Sequence, residues 1–298
     1  MRALGVDVGG TKLLAAIVDE WGARIAETCR PTGRGLGPYP LMRLVADVAA
    51  ELGELSAIDA AGLGFPGLVD VKRGVVRSSV MLDGWSEVPL RERVGEALGV
   101  VTVIDNDVNA AAFAELAARG DVEGGMLFVA VGTGIGGAFA LGGELLRGAG
   151  GVAGEIGNTT IREDGPACWC GRRGCLNMLA SGTAIEQMLE IAAGSLSSVP
   201  STDARLPSVV RRAGRSLGLG LANAVNLLNP ALVVIGGGVA QLDGYFEEAV
   251  ATAREEAFPE ALEGCSFERA RAGYEAGAVG AGLLAIAAAG PRVSTFSR

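Results

Sequence analysis

Two stretches about 120 residues apart share one pattern of strand, glycine turn, strand, turn and strand. The first, residues 3–26, runs from Ala3–Val8 through Gly9-Gly10-Thr11 into Leu13–Val18 and turns at Asp19-Glu20-Trp21-Gly22. The second, residues 126–147, runs from Met126–Val131 through Gly132-Thr133-Gly134 into a further strand, turns at Gly142-Gly143 and continues into Glu144–Arg147. A repeated hairpin unit predicts an internal duplication, one copy opening each of two domains. The length agrees, because 298 residues exceed what one core usually serves. The expected domains are 1–115 and 116–298. A small-residue-rich terminal helix at about 276–290 is a candidate to pack back on the first.

Strands and helices alternate between the hairpins. Ala60–Phe65, Val100–Ile104 and Ala231–Ile235 read as strands. Pro40–Leu55, Pro89–Leu98, Val108–Arg119, Ala180–Ala193, Pro207–Leu228 and Asp243–Ala257 read as helices, and 194–203 as a loop. This order predicts an α/β fold with largely parallel sheets covered on both faces. Aromatic residues make up only 5% against 47 glycines, which favours tight backbone-dominated turns over a β-sandwich.

Composition also excludes function classes. A net charge of −9 without a long basic run argues against a nucleic-acid surface. Residues 1–20 interrupt their apolar positions with Asp7, Lys12, Asp19 and Glu20, so no signal peptide is expected. No apolar run has membrane-span length, and Ala276–Gly290 reads as a packed helix. Five cysteines, three of them clustered, argue against a disulfide framework and for a reducing cytoplasm. The chain has no histidine, which removes the commonest general base and metal ligand.

Several motifs carry chemistry, each beside a plainer alternative. In Asp7-Val8-Gly9-Gly10-Thr11-Lys12 a carboxylate at a strand end precedes glycines whose N–H groups can approach phosphate oxygens, with Thr11 and Lys12 as added donors. An ordinary hairpin turn would look the same. Gly132-Thr133-Gly134-Ile135-Gly136-Gly137 matches G-x-G-x-x-G, but the strand that follows, in place of a helix, argues against a dinucleotide fold and for a second phosphate hairpin. Asn106-Asp107-Val108-Asn109 opens a helix, so Asp107 is either an N-cap or a base held ionised at a helix start. Gly236-Gly237-Gly238 after an apolar strand would admit a flat ligand group or simply pack closely. Cys168, Cys170 and Cys175 have spacing suited to one zinc, or to a reduced structural loop.

The order of these motifs, together with Gly154-Glu155-Ile156-Gly157, resembles the ROK family of sugar kinases and sugar-responsive repressors. The resemblance implies two duplicated actin/hexokinase-type (ribonuclease H-like) domains with a central cleft. It implies an ATP- and Mg²⁺-dependent kinase acting on the 6-hydroxyl of a hexose, working as a cytoplasmic homodimer without nucleic-acid or membrane partners. Asp107 would be the base, and Asp7 would hold Mg²⁺ through water. Gly9, Gly10, Thr11, Lys12, Gly132, Thr133 and Gly134 would position phosphates, with Gly236, Gly237 and Gly238 on the adenosine side. Gly67, Asn106, Glu155, Asn158 and Asn177 would line the sugar site. Family repressors carry an N-terminal helix-turn-helix, and with a strand at Ala3–Val8 none is expected here.

This chain departs from the family pattern on the sugar side. The usual G-E-I-G-H and C-x-C-G-x-x-G-C-L-E end here in Asn158 and Asn177, and Met81 stands where P-N-L-x-G-W has asparagine. The family's zinc takes that histidine as its fourth ligand. Here three thiolates with water, or a recruited Cys29 or Cys265, would have to serve. Losing an imidazole and a carboxylate should shift sugar discrimination. The expectation is a modified or amino hexose such as kanosamine, with an ordinary glucokinase and a non-catalytic sugar sensor as alternatives.

Overall fold

In the computed structural model of the chain, which describes residues 1–33, 35–53 and 57–290, each glycine-turn hairpin opens a five-stranded sheet. The first sheet contains β1 (Arg2–Val8), β2 (Lys12–Asp19), β3 (Arg24–Pro31), β4 (Ala60–Phe65) and β8 (Val101–Asn106). Its order is β3-β2-β1-β4-β8, with an antiparallel meander followed by two parallel strands. Helix α1 (Pro38–Leu52), a small sheet of β5 (Leu68–Asp70), β6 (Val75–Ser78) and β7 (Ser86–Val88), and α2 (Leu90–Leu98) lie between β3 and β8. Helix α3 (Asp107–Arg119) follows β8.

The second sheet repeats that topology. Strands β9 (Met126–Val131), β10 (Ile135–Leu141), β11 (Glu144–Leu146), β12 (Leu232–Gly236) and β13 (Ser266–Arg269) have the order β11-β10-β9-β12-β13, again an antiparallel meander and then two parallel strands. Between β11 and β12 come α4 (Asn177–Ala180), α5 (Gly182–Leu189) and α6 (Leu206–Leu228), and α7 (Tyr245–Glu256) and α8 (Pro259–Leu262) precede β13. Matching strand order in both sheets is what a duplicated hairpin unit requires. The chain is α/β with two mixed sheets.

Contacts divide the described residues into two compact units, one of residues 1–120, 147–153 and 271–290, the other of 121–146 and 154–270. Helix α3 continues to Arg119, and Arg147–Ala153 and the terminal helix Ala276–Ala289 belong to the first unit. Among the described residues no helix is long and apolar enough to cross a membrane.

The terminal helix is small-residue-rich because it lies backbone against backbone. A Cβ placed at Gly5 of β1 would be 1.9 Å from Ala278 O, one at Gly62 of β4 1.8 Å from Ala281 O, and one at Gly280 1.7 Å from Ala110 O of α3. The opposite face of the first sheet is covered by apolar side chains, with Leu4, Val6, Leu13 and Leu63 packed with Leu41 and Val45 of α1 and Leu90 and Val94 of α2. In the second unit Leu127, Val129, Val233 and Ile235 form a core with Ile185, Leu217, Leu221 and Ala249 of α5, α6 and α7.

Some local expectations fail for local reasons. The helix expected over 180–193 divides at Ser181, whose Oγ caps α5 by accepting Ala184 N–H at 3.2 Å, and it ends where Glu190 turns left-handed at φ 56°. Within the expected loop 194–203, Leu196–Ser198 forms a 3₁₀ turn. Strands β5, β6, β7 and β13 have three or four residues each, too short to display a period. The end of the helix expected over 40–55 lies outside the described residues.

A helical Gly→Ala change alone would stabilise by about 1 kcal/mol. At Gly280 the backbone contact reverses the sign, and Gly280→Ala should destabilise by roughly 1–3 kcal/mol in urea unfolding. Gly33→Ala, where a Cβ meets nothing within 4 Å, should move the midpoint by less than about 0.5 kcal/mol. A stabilised Gly280→Ala would contradict this packing.

Candidate active site

Candidate residues gather at the glycine-turn ends of the two sheets, in one cluster per unit. In the first unit Asp7 is the penultimate residue of β1 and Gly9 closes the turn, its N–H donating to Lys12 O at 2.8 Å. A Cβ at Gly9 would be 2.7 Å from that same oxygen, so glycine is needed. Thr32 secures the turn from β3's end, donating its N–H to Thr11 O and its hydroxyl to Gly9 O at 2.7 Å. The Met81 methyl would be 3.1 Å from a Cβ at Gly10, so the Met81 departure lies beside this turn.

Asp7 is half-buried, and the terminal helix presses on its carboxyl where a Cβ at Gly277 would be 2.5 Å from the carboxyl carbon. Burial pushes its pKa up to about 6, against the opposing charge of Lys12. A carboxylate whose charge is costly to bury is a favourable partner for a divalent cation, so the residue fits Mg²⁺.

The cap and the candidate base at the start of α3 are different residues. Asn106 is the N-cap, its Oδ1 accepting Val108 N–H at 2.9 Å and Asn109 N–H at 3.2 Å. Asp107 is the first helical residue, half-buried, and accepts Val108 N–H at 3.0 Å. Asn106 Nδ2 also donates to Gly67 O at 3.3 Å, which joins two expected sugar-side residues. Gly67 itself lies so close to Ser78 O that a Cβ would be 2.4 Å away.

Beneath this helix start is a network that sequence reasoning missed. Asp105 is buried and accepts Asn106 N–H, Asn109 Nδ2–H, and both Nε and Nη2 of Arg147 at 2.8 and 2.7 Å. The Arg147 guanidinium, donating twice to Oδ2, compensates the buried carboxylate and fixes the strand–helix junction that presents Asn106 and Asp107. A lone acid in the apolar run Val101-Thr102-Val103-Ile104 was the available signal. Arg147, 42 residues away, had none.

In the second unit Gly132-Thr133-Gly134 joins β9 to β10. The N-terminus of α5 holds it, with Gly182 N–H donating to Gly132 O at 2.8 Å and the Thr183 hydroxyl to Thr133 O at 2.9 Å. The turn carrying Glu155 packs on β10 backbone: a Cβ at Gly154 would be 2.1 Å from Gly137 O, and one at Gly157 2.1 Å from Ile135 O. Both glycines of G-E-I-G are thus explained by contact. Asn158 Nδ2 donates to Glu155 Oε2 at 2.9 Å. Partial burial of the Glu155 carboxyl raises its pKa, and the Asn158 amide opposes this. Asn177 is buried, its Oδ1 on Ile135 N–H at 2.7 Å and its Nδ2 on Asn158 Oδ1 at 3.2 Å.

The thiols of Cys168, Cys170 and Cys175 lie within 4.8 Å of one another. Hydrogen bonds from the Arg172 backbone and side chain pull Cys170 down to about 6, while burial raises Cys175. Three sulfur donors this close could share one metal ion, and sulfur donors suit zinc. Cys265 lies outside the group, with its Sγ 4.0 Å from Ser266 O, and Cys29 sits on β3 of the other unit.

Gly236 and Gly237 have packing reasons, Gly237 at φ 90° with its Cβ position 2.3 Å from Val131 O. A Cβ at Gly238 would meet nothing within 4 Å.

Residues 3–288 match the model of the ROK family. The chain belongs to the ROK family. A glucokinase of Halalkalibacterium halodurans is 33% identical, the alignment covering 94% of each chain. An N-acetylmannosamine kinase of Yersinia pseudotuberculosis is 34% identical over 84% of this chain and 87% of its own. The structure of a ROK glucokinase from Streptomyces griseus in complex with glucose and AMPPNP superimposes with a TM-score of 0.80 at 29% identity, covering 96% of this chain and 99% of that one. These ROK relatives cover nearly all of the chain, so its likeness to the family's sugar kinases is not confined to one domain.

The Asp7 carboxyl gives a pH test. Its pKa of about 6 lies above the ordinary 3.8, so the folded state binds the extra proton and wild-type stability falls as pH rises from 4 to 6. Above pH 6 the full cost, about 3 kcal/mol, is present. Asp7→Asn, unfolded by urea in chelator without nucleotide, should therefore be more stable than wild type above pH 6. The two should converge near pH 4. A less stable variant at pH 8 would refute the buried charge.

Proposed function

We propose that this protein is an ATP- and Mg²⁺-dependent sugar kinase that transfers the γ-phosphoryl group to the 6-hydroxyl of a hexose, with Asp107 as base. The observation that carries the reading is that Asn106 is the N-cap of α3, which leaves Asp107, the first helical residue, as the carboxylate we assign to the substrate hydroxyl. A loose phosphoryl-transfer transition state asks mainly for positioning and charge stabilisation, and a carboxylate suffices to accept the late-leaving proton. Mg²⁺, held by Asp7 through water, would neutralise charge on the nucleotide phosphates.

Backbone N–H groups at Gly10 and Gly134, with Thr11, Lys12 and Thr133, hold the phosphates on this reading. Gly9 and Gly132, whose N–H groups donate to Lys12 O and Gly134 O, shape the two phosphate turns, and Gly236, Gly237 and Gly238 lie along the adenosine. Gly67, Asn106, Glu155, Asn158 and Asn177 make the sugar side, Asn177 acting from behind. Cys168, Cys170 and Cys175 hold a structural zinc that shapes the loop and takes no part in the chemistry, and the protein works as a homodimer. The substrate is a modified hexose, an amino sugar of the kanosamine kind. Two amides at positions 158 and 177 support this, and Glu155, a carboxylate partly withdrawn from water, suits an ammonium group. Glucose is the second reading, favoured by the glucokinase relatives.

A panel of hexoses, amino hexoses and deoxy hexoses with Mg²⁺-ATP tests both layers. An amino hexose should give the highest kcat/KM, and Asp107→Asn should lower kcat by about 10²–10⁴-fold. Glucose strongly preferred over every amino and deoxy hexose would defeat the amino-sugar assignment. Turnover that is absent in wild type, or survives Asp107→Asn, would defeat the kinase. Metal analysis of the purified protein should find about one zinc per chain, lost in Cys175→Ser.

A further inference from the structure

Glu155, Asn158 and Asn177 form one directed chain of hydrogen bonds that ends on backbone at the second glycine turn. Asn158 Nδ2 donates to Glu155 Oε2 at 2.9 Å, Asn177 Nδ2 to Asn158 Oδ1 at 3.2 Å, and Ile135 N–H to Asn177 Oδ1 at 2.7 Å. Every donor points toward the carboxylate. Ile135 is the first residue of β10 and directly follows Gly132-Thr133-Gly134.

The surroundings leave little slack. Asn177 is 3% exposed. A Cβ at Gly157 would be 2.7 Å from Asn177 Nδ2, and one at Gly134 would be 3.3 Å from Asn177 Oδ1. The Asn177 carboxamide is thus wedged between the turn that carries Glu155 and the turn expected to hold phosphate. A buried carboxamide must pair both its donor and its acceptor, and here it spends one on each turn. Neither an isosteric carboxylate nor an aliphatic side chain does both. A carboxylate keeps the acceptor for Ile135 N–H but sets a second acceptor against Asn158 Oδ1. An aliphatic side chain leaves the N–H of Ile135 unpaired in the interior.

We infer that Asn177 is a positioning residue, which holds the second phosphate turn through Ile135 N–H and orients the Glu155 carboxylate through the amide of Asn158. One buried carboxamide therefore sets both the nucleotide-side and sugar-side contacts of this unit. Asn158 acts on the sugar side alone. With its oxygen occupied by Asn177, its amide group stays turned to Glu155 Oε2, which leaves Oε1 of that carboxylate to meet a sugar hydroxyl or ammonium. The inference rests on the kinase reading and deepens it.

Three variants separate these roles through the KM for ATP and the KM for sugar, with ATP binding also measured directly by calorimetry in the absence of sugar. Asn177→Asp retains the acceptor and loses the donor. It should raise the sugar KM about tenfold and leave ATP binding within about twofold, because one lost hydrogen bond is worth roughly a factor of ten. Asn177→Ala loses both and should weaken ATP and sugar alike, each by about tenfold or more. Asn158→Ala, at a half-buried site that tolerates truncation better, should raise only the sugar KM. Equal effects of Asn177→Asp on both ligands, unchanged ATP binding in Asn177→Ala, or weakened ATP binding in Asn158→Ala would each overturn the inference. Wild type without sugar-dependent turnover would instead count against the kinase. Turnover with the wrong split counts only against the role of Asn177.

Discussion

Backbone packed directly on backbone is the constraint on which the rest of this structure depends. In the first unit the terminal helix approaches β1, β4 and α3 so closely that Gly5, Gly62 and Gly280 have no room for a Cβ. In the second, Gly154 and Gly157 press the Glu155 turn onto the first residues of β10. Both approaches occur beside candidate site residues, Asp7 in one unit and the Gly132–Gly134 turn in the other. Glycine loses more conformational entropy on folding than any other residue, so its concentration here weakens the unfolded-state balance. The return is positional, because main-chain atoms have no rotamers through which a site could drift.

Charge and hydrogen-bond pairing then set the side chains on this frame. Asp105 is buried with Arg147, whose Nε and Nη2 both reach Oδ2, while its Oδ1 accepts from Asn106 and Asn109. Asp7, by contrast, is held with its charge poorly compensated, and its pKa rises accordingly. The two aspartates show opposite uses of burial. A compensated carboxylate fixes geometry, and an uncompensated one keeps an affinity for cations. The asparagine chain from Glu155 to Ile135 belongs with the first use, achieved without charge.

Much of this was legible in the residues. The duplicated hairpins foretold a hairpin opening each half of the chain, whereas the expected largely parallel sheets are mixed, because each hairpin meander contributes antiparallel pairings. The strands Ala60–Phe65 and Met126–Val131 were readable to the residue because apolar runs ended at glycine, proline or loop signals. The Asp7, Asp107 and G-E-I-G positions were visible through spacing. The cap was not: Asn106 and Asp107 are both good caps, and only backbone geometry shows that Asn106 takes the role. The strand pairings of β5, β6 and β7 were hidden because three or four residues carry too little periodicity to register.

Sequence by itself determined the duplication, the α/β class, the family and the residue types at each turn, because these are encoded in local period and in motif order. Tertiary structure alone decided what the side chains do with one another. Arg147 meets Asp105 across 42 residues, Asn177 meets Ile135 across the same separation, and Gly280 meets Ala110 through a helix contact with no sequence signature. Such partners are chosen by the path of the folded chain. A pairing between distant residues has no period to read, and it exists only once the backbone has brought donor, acceptor or glycine face to face.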